Sequence, residues 1–159
     1  MKFLHAPWRW SFLSRPRGRR GCVFCGAVEE NDPDDLIVYR GDHNFVILNK
    51  YPYSTGHLMV VPYAHVSLPD GLSRDASKEM WSCMLRARMA LEKCFSPDGF
   101  NMGMNLGAAA GAGIKDHVHL HVVPRWRGDA NFMAVTGDTR VMSYDIKEVT
   151  RLLREEWTK

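Results

Sequence analysis

Residues 117–123 read His-Val-His-Leu-His-Val-Val, and this run limits the fold more than any other feature of the chain. On an extended strand alternate side chains share a face. The imidazoles of His117, His119 and His121 then project together, while Val118, Leu120 and Val122 point into a core. A core needs only the apolar side of such a strand and does not require imidazole at every opposite position. Pro124, which has no N–H to give to a ladder, closes the predicted strand 117–123. Along it, neighbouring histidines lie about 7 Å apart and the outer pair about 13 Å apart. Three rings so spaced cannot share one ion at bond lengths near 2 Å. At least one therefore has another task. Neutral imidazole is a nucleophile that works near pH 7 without an activating base. Electrophilic phosphorus is a natural target, and a second imidazolium alongside can stabilise charge on the phosphoryl oxygens.

The rest of the chain alternates strand-like and helix-like patterns. Runs 36–40 and 44–48 flank Gly41-Asp42 and predict a hairpin. A third strand is expected over 57–61, closed by Pro62. Residues 75–95 read as a helix with Met80, Met84, Leu85, Leu91 and Phe95 along one face, capped by Ser73 or Asp75. Cys83 and Cys94 share a face of that helix as small buried hydrophobes. Residues 100–106 alternate as a strand, with Phe100, Met102, Met104 and Leu106 on its apolar side. The low-bulk run 107–113 follows, whose backbone can approach an anion closely and whose amides can cradle phosphate. A last helix is expected over 145–157, with Asp145 and Glu148 as a capping box. This is an α+β pattern with an antiparallel sheet of about five strands, one long helix and one C-terminal helix.

At 159 residues, 45% apolar and 25% charged, the chain matches one soluble globular domain. No stretch approaches the roughly 20 apolar residues of a membrane span, and residues 1–20 lack a signal-peptide core. A cytoplasmic location is expected, where four cysteines point to metal binding or free thiols rather than disulfides. The net charge of +3 is too mild to suggest a nucleic-acid binder. Residues 1–20 form a separate basic, aromatic arm (Trp8, Arg9, Trp10, Phe12, Arg15, Arg17, Arg19, Arg20), and residues 21–159 form the single domain. The arm's tryptophans are expected to lie on the domain with its arginines in water, in preference to binding a single nucleic-acid strand.

The run 117–123, with its upstream block from Gly56-His57 through Pro62 to His65-Val66, resembles the signature of the histidine triad (HIT) superfamily of nucleotidyl hydrolases and transferases. Residues 6–9, Cys22-Val23-Phe24-Cys25, Gly111 to Ile114 and residues 124–133 are similar to its bacterial diadenosine tetraphosphate (Ap4A) phosphorylase-like branch. The resemblance spans residues 6–136 and implies a HIT-like fold.

It also implies roles for particular residues. His119 is the nucleophile carrying a nucleotidyl group, with the carbonyl of His117 holding its other nitrogen protonated. His121 hydrogen-bonds the phosphate, and His57 supports the triad. Asn49 contacts the ribose and Asn105 the phosphate loop. Gly113 and Trp126 approach the nucleotide, and Phe24 walls the nucleoside pocket or simply packs in the core. Cys22-x-x-Cys25 alone is open between redox, zinc and no chemistry. Family members pair such cysteines with two histidines around structural zinc, which here matches His65 and His117. Many members carry a serine three residues before the first triad histidine and a glutamine one position earlier. Ile114 and Gly113 stand there instead. Without the serine, an anionic polyphosphate leaving group is favoured over an amine. Without the glutamine, inorganic phosphate is favoured over water as acceptor.

The expected activity is cleavage of Ap4A with phosphate to ATP and ADP. The partners are purine nucleotides, dinucleoside polyphosphates and inorganic phosphate, with magnesium accompanying the substrate. Arg125, Arg127 and Lys115 are candidates to hold the acceptor phosphate, or are solvated surface charges. The rivals are a hydrolase passing the same intermediate to water, a nucleotide-binding module with little turnover, and a zinc-dependent nucleic-acid binder with steep salt dependence. Family members commonly form homodimers through sheet edges, and higher homo-oligomers remain open.

Overall fold

A computed structural model of the chain describes residues 21–32, 35–129 and 145–158. The arm 1–20, with its resemblance at 6–9, and residues 130–136 lie outside the described residues. Helix α1 (Val23–Glu29) precedes strands β1 (Ile37–Arg40), β2 (Asn44–Leu48) and β3 (Leu58–Pro62). The long helix α2 (Arg74–Phe95), strands β4 (Gly99–Gly103) and β5 (Leu120–Arg125) and helix α3 (Ile146–Trp157) complete the order. The five strands form one sheet in the order β1-β2-β3-β5-β4, every neighbouring pair antiparallel. This is the expected α+β architecture.

Helix α2 packs on β2, β3 and β5, and α3 packs on α2 and β1. The core lies between these layers. Phe45, Val46, Leu58, Val60, Leu91 and Leu153 are completely or almost completely buried in it. Ser73 is the cap the sequence left open for α2, its hydroxyl accepting from the Ala76 amide at 3.1 Å. Asp145 caps α3 through the Lys147 amide. The predicted capping box is incomplete, because both Glu148 carboxylate oxygens are taken by Arg151. Cys83 is buried and Cys94 partly buried, as expected of packing thiols. Desolvation pushes the Cys83 thiol up to about 11, so it stays protonated and inert.

Three strand boundaries differ from the sequence expectation, each for a physical reason. The histidine strand begins at Leu120, not at residue 117. Its ladder to β3 starts at the Val60–Leu120 pair, although β3 runs on to Pro62, because the residues before Leu120 leave the ladder for the segment beyond Pro62. The amide of Val118 bonds instead to the Val66 carbonyl at 2.7 Å. At its other end β5 passes through Pro124, which pairs with Phe100 of β4. The Pro124 carbonyl accepts the Ser54 hydroxyl on the side away from β4. Its missing N–H faces that same side, so the β4 ladder loses nothing. Strand β4 stops at Gly103, which pairs with His121, rather than reaching residue 106. Met102 and Leu106 of its expected apolar side are exposed.

Candidate active site

Although His117 and His119 lie outside the ladder, the three imidazoles still line one side of the chain. The His119 and His121 rings meet edge-on with centroids 4.8 Å apart. The His121 and His57 rings are 5.1 Å apart. Hydrogen-bond partners assign each ring proton. His119 Nδ1 donates to the His117 carbonyl at 2.9 Å, which leaves a lone pair on Nε2. The Tyr53 amide donates to His57 Nδ1 at 3.1 Å, so the His57 proton sits on Nε2. That nitrogen donates to His121 Nδ1 at 2.9 Å. His121 is thereby fixed with its own proton on Nε2. One lone pair and one N–H stand side by side.

The His119 ring is only 5% exposed. Even so, the only buried polar side-chain atoms without a partner among the described residues are Asn44 Oδ1 and Trp157 Nε1. The unbonded His119 Nε2 is not one of them, so it opens onto the site while the rest of its ring is packed. Burial lowers the pKa of His119 below the usual imidazole range, partly offset by the bond to the His117 carbonyl. Burial and then the neighbouring His119 push His121 down to about 4. Both rings are neutral at pH 7, the form in which His119 has a lone pair to use.

Upstream, the expected anion loop is a tight turn. Gly107 and Gly111 take φ of +82° and +85°, where a side chain would be strained. The Gly111 amide bonds to the Ala108 carbonyl, and the Ala112 amide to the Gly107 carbonyl. None of the amides from Gly113 to His117 donates to a protein acceptor among the described residues. A row of open N–H groups therefore leads into the triad.

Beside the triad lies a sulfur–nitrogen cluster. The ligand atoms of Cys22, Cys25, His65 and His117 all fall within 4.8 Å of one another. His117 Nδ1 is 3.3 Å from Cys22 Sγ and 3.7 Å from Cys25 Sγ, and His65 Nδ1 is 3.3 Å from Cys25 Sγ. The edges of a tetrahedron with metal bonds of 2.0–2.3 Å run about 3.3–3.8 Å, so these side chains are already near the spacing one ion needs. His117 Nε2 donates to the Pro62 carbonyl at 2.8 Å. That bond leaves its Nδ1 lone pair aimed at the two sulfurs. The donor set could hold a metal ion, and a closed S2N2 set suits zinc chemistry.

The remaining candidates are placed as follows. Phe24 is 2% exposed, its ring centroid 5.0 Å from that of His119 and 5.4 Å from that of His117. Asn49 sits beside the triad, with Nδ2 3.3 Å from His57 Nδ1 and Oδ1 accepting the Tyr51 amide. Asn105 and Gly113 are half-buried at the two ends of the glycine-alanine turn. Trp126 lies past the far end of β5, where its indole donates to the Phe95 carbonyl. No described contact joins it to the triad. Arg125 is held by Asp129 and Asn101, and Arg127 and Lys115 are exposed.

Two participants were not singled out from the sequence. Tyr53 supplies the amide that orients His57, and its ring stacks on His57 with centroids 4.8 Å apart. Only its place four residues before His57 could have signalled this. Helix α1, which carries Cys25 and Phe24, has too short an apolar pattern to be read.

Comparison with known proteins agrees with this arrangement. The HIT domain family model matches residues 30–128. The chain is similar to an AP-4-A phosphorylase of Mycobacterium tuberculosis, 42% identical over 98% of this chain and 84% of the relative. It is similar to an uncharacterized HIT-like protein of Saccharolobus solfataricus, 33% identical over 70% of this chain and 79% of the relative. Among solved structures it resembles a Zn-bound histidine triad family protein from Mycobacterium smegmatis. That likeness has a TM-score of 0.72 and 30% identity, covering 89% of this chain and 96% of the other.

Proposed function

The chain belongs to the HIT domain family, and from that premise we propose that it cleaves Ap4A with inorganic phosphate, through a nucleotidyl group carried on His119. The carrying observation is the His119 Nε2 lone pair standing beside the ring of His121, whose own Nε2 bears the proton. The likeness to the M. tuberculosis AP-4-A phosphorylase supports the choice of substrate.

His119 Nε2 attacks the α-phosphorus, and the bond to the bridging oxygen breaks. ATP leaves as an anion that needs no proton. The His119 ring becomes cationic on bonding phosphorus, and the His117 carbonyl stabilises it through Nδ1–H. His121 donates its Nε2–H to a phosphoryl oxygen, and the open amides of residues 113–117 receive the others. An oxygen of inorganic phosphate then attacks the same phosphorus. The P–N bond breaks, its electron pair returns to Nε2, and ADP is released. Holding the transferred group on nitrogen divides one difficult displacement into two.

Asn49 contacts the ribose in this reading, Asn105 and Gly113 border the phosphates, and Phe24 and Trp126 bound the nucleotide. Ile114 and Gly113 offer no side-chain donor to direct water, which supports phosphate as the acceptor.

Zinc, held by Cys22, Cys25, His65 and His117, would supply a cross-link and no Lewis acid, since the protein would provide all four ligands. Magnesium travels with the polyphosphate. Trp81, Leu85 and Met89 are exposed along α2, and Met102 is exposed on the edge strand β4. These apolar side chains, with a sheet edge at β4 that no described strand pairs, support a homodimer, which sedimentation checks. No described helix is long and apolar enough to cross a membrane, and the reading places the enzyme in the cytoplasm.

The deciding experiment incubates the protein with Ap4A, with and without phosphate, and separates the products. ADP and ATP formed only with phosphate support the phosphorylase. AMP and ATP formed regardless of phosphate would show a hydrolase, and no turnover a binding module.

A further inference from the structure

Helix α1 is seven residues long, far short of the roughly 12–15 that hold a helix in isolation. Its N-cap, Cys22, makes no capping bond through its side chain. The sulfur lies instead 3.3 Å from His117 Nδ1. Phe24 is the only buried residue of the helix. Ala27 and Val28 pack on the core at the far end of α1, so its first turn is held by the thiols of Cys22 and Cys25 and by the ring of Phe24 between them. That ring meets His117 and His119 together. The peptide of His117 closes a second path, because the residue whose imidazole faces the thiols also accepts His119 Nδ1–H on its carbonyl.

We propose that Phe24 is a positioning residue coupling metal occupancy of Cys22, Cys25, His65 and His117 to the reactive orientation of His119. The cluster then governs the nucleophile rather than merely bracing the fold. This rests on the reading of His119 as nucleophile and of the cluster as a zinc site. With the ion bound, Cys22 and Cys25 are clamped one turn apart and the Phe24 ring is pressed against His119 on one side. The His117 carbonyl fixes it on the other. Without the ion, the first turn of α1 loses its cross-link and keeps only the packing of Phe24 and Cys22, and the His119 ring gains freedom to rotate away from the phosphorus.

Coupling between two sites is reciprocal in binding free energy. Zinc affinity, measured by competition with a chromophoric chelator, should rise at least about fivefold when the full chain is saturated with AMP, a coupling of the usual size. In Phe24→Leu, with zinc still bound one per chain and AMP raised to saturation for the variant, the coupling should fall below about twofold. Unchanged coupling in the variant would overturn the proposal. So would weaker AMP binding with coupling intact, because Phe24 would then be only a wall of the nucleoside pocket.

A second measurement needs no variant and no nucleotide. The His119 Nδ1–H signal in histidine-labelled protein should be sharp when zinc is loaded and exchange-broadened after chelation, with β2–β3 amides still protected. A signal that survives chelation, or a sheet that melts with it, would overturn the proposal. These readouts stand apart from turnover. Failure to form nucleotidyl-His119 would sink the proposed function while leaving the histidine signal decisive here.

Discussion

Replacing His57 by Phe separates orientation from chemistry. His57 is completely buried, with one ring nitrogen on the Tyr53 amide and the other on His121. Its work is to accept the Tyr53 amide on one nitrogen and donate to His121 with the other. Phenylalanine keeps a ring for Tyr53 to stack on and removes both bonds. The orphaned Tyr53 N–H carries a desolvation cost of about 1–3 kcal/mol. At about 2–4 °C per kcal/mol for a chain of this size, the melting temperature should fall by about 2–12 °C. Two limits bracket the catalytic cost. If His57 merely selected the His121 tautomer, an unanchored neutral imidazole would still present the right one about half the time, a loss of about twofold. If the His121 donor were lost outright, the loss would reach about 100- to 1,000-fold, as for an oxyanion-hole donor. An imidazole present but free to rotate lies between, at about 10- to 100-fold, or about 1.4–2.7 kcal/mol. Rapid-quench measurement of nucleotidyl-His119 formation in a single turnover isolates this step from phosphate binding. A loss below about twofold, with the stability change present, would refute the orienting role. A loss well beyond 1,000-fold would mean that His57 takes part directly.

Stability should also depend on acidity. Burial holds folded His121 near 4 against an ordinary 6.5, so between those values the unfolded chain binds the proton that the folded one refuses. Unfolding free energy from urea titrations should therefore be full above about pH 6.5 and decline towards pH 4, by about 2–3 kcal/mol. His121→Gln should flatten that decline, and an unchanged slope would contradict it. Glu79 accepts from the amides of Asp42 and His43 and from Asn44 Nδ2 at the β1–β2 turn. Glu79→Ala should cost about 2–3 kcal/mol with the rate of nucleotidyl transfer unchanged, and a slowed transfer would count against a purely structural turn. Cys22→Ser removes one of four metal donors. Elemental analysis should show zinc falling well below one per chain, while full retention would remove Cys22 from the ligand set.

Period-two and period-3.6 patterns made the strands and long helices readable, because burial enforces them. The pairing of His119 with His121 was readable from alternation, which survives any small shift in strand ends, whereas His57 was joined to them only by the family resemblance of the Gly56-His57 block. The ends themselves were not, because they depend on partners distant in sequence. The histidine strand starts late because Val118 bonds to Val66 rather than to β3, and it passes Pro124 because no strand needs an N–H on the side that Ser54 occupies. Helix α1 was invisible because seven residues with one buried side chain carry no period. The tight spacing of the four residues that could hold a metal was likewise beyond the sequence, since they come from three separate segments.

Alternation alone could not say how the three imidazoles divide their tasks, only that they cannot share one ion. The structure divides them through main-chain groups. The Pro62 carbonyl fixes His117 with Nδ1 facing the two sulfurs, the His117 carbonyl fixes His119 with Nε2 unbonded, and the Tyr53 amide fixes His121 through His57. Peptide groups do not titrate between pH 5 and 9, whereas a carboxylate in the same place could gain a proton in acid and release its imidazole. Orientation by the backbone also shields the site from most substitutions at those positions, since a changed side chain leaves its amide and carbonyl in place. The exceptions should be changes that remove or redirect the peptide group itself. Proline at position 53 eliminates the N–H that His57 accepts. Tyr53→Pro should therefore slow transfer, by less than His57→Phe because the His57–His121 bond remains, while Tyr53→Ala, which keeps the amide, should slow it less still.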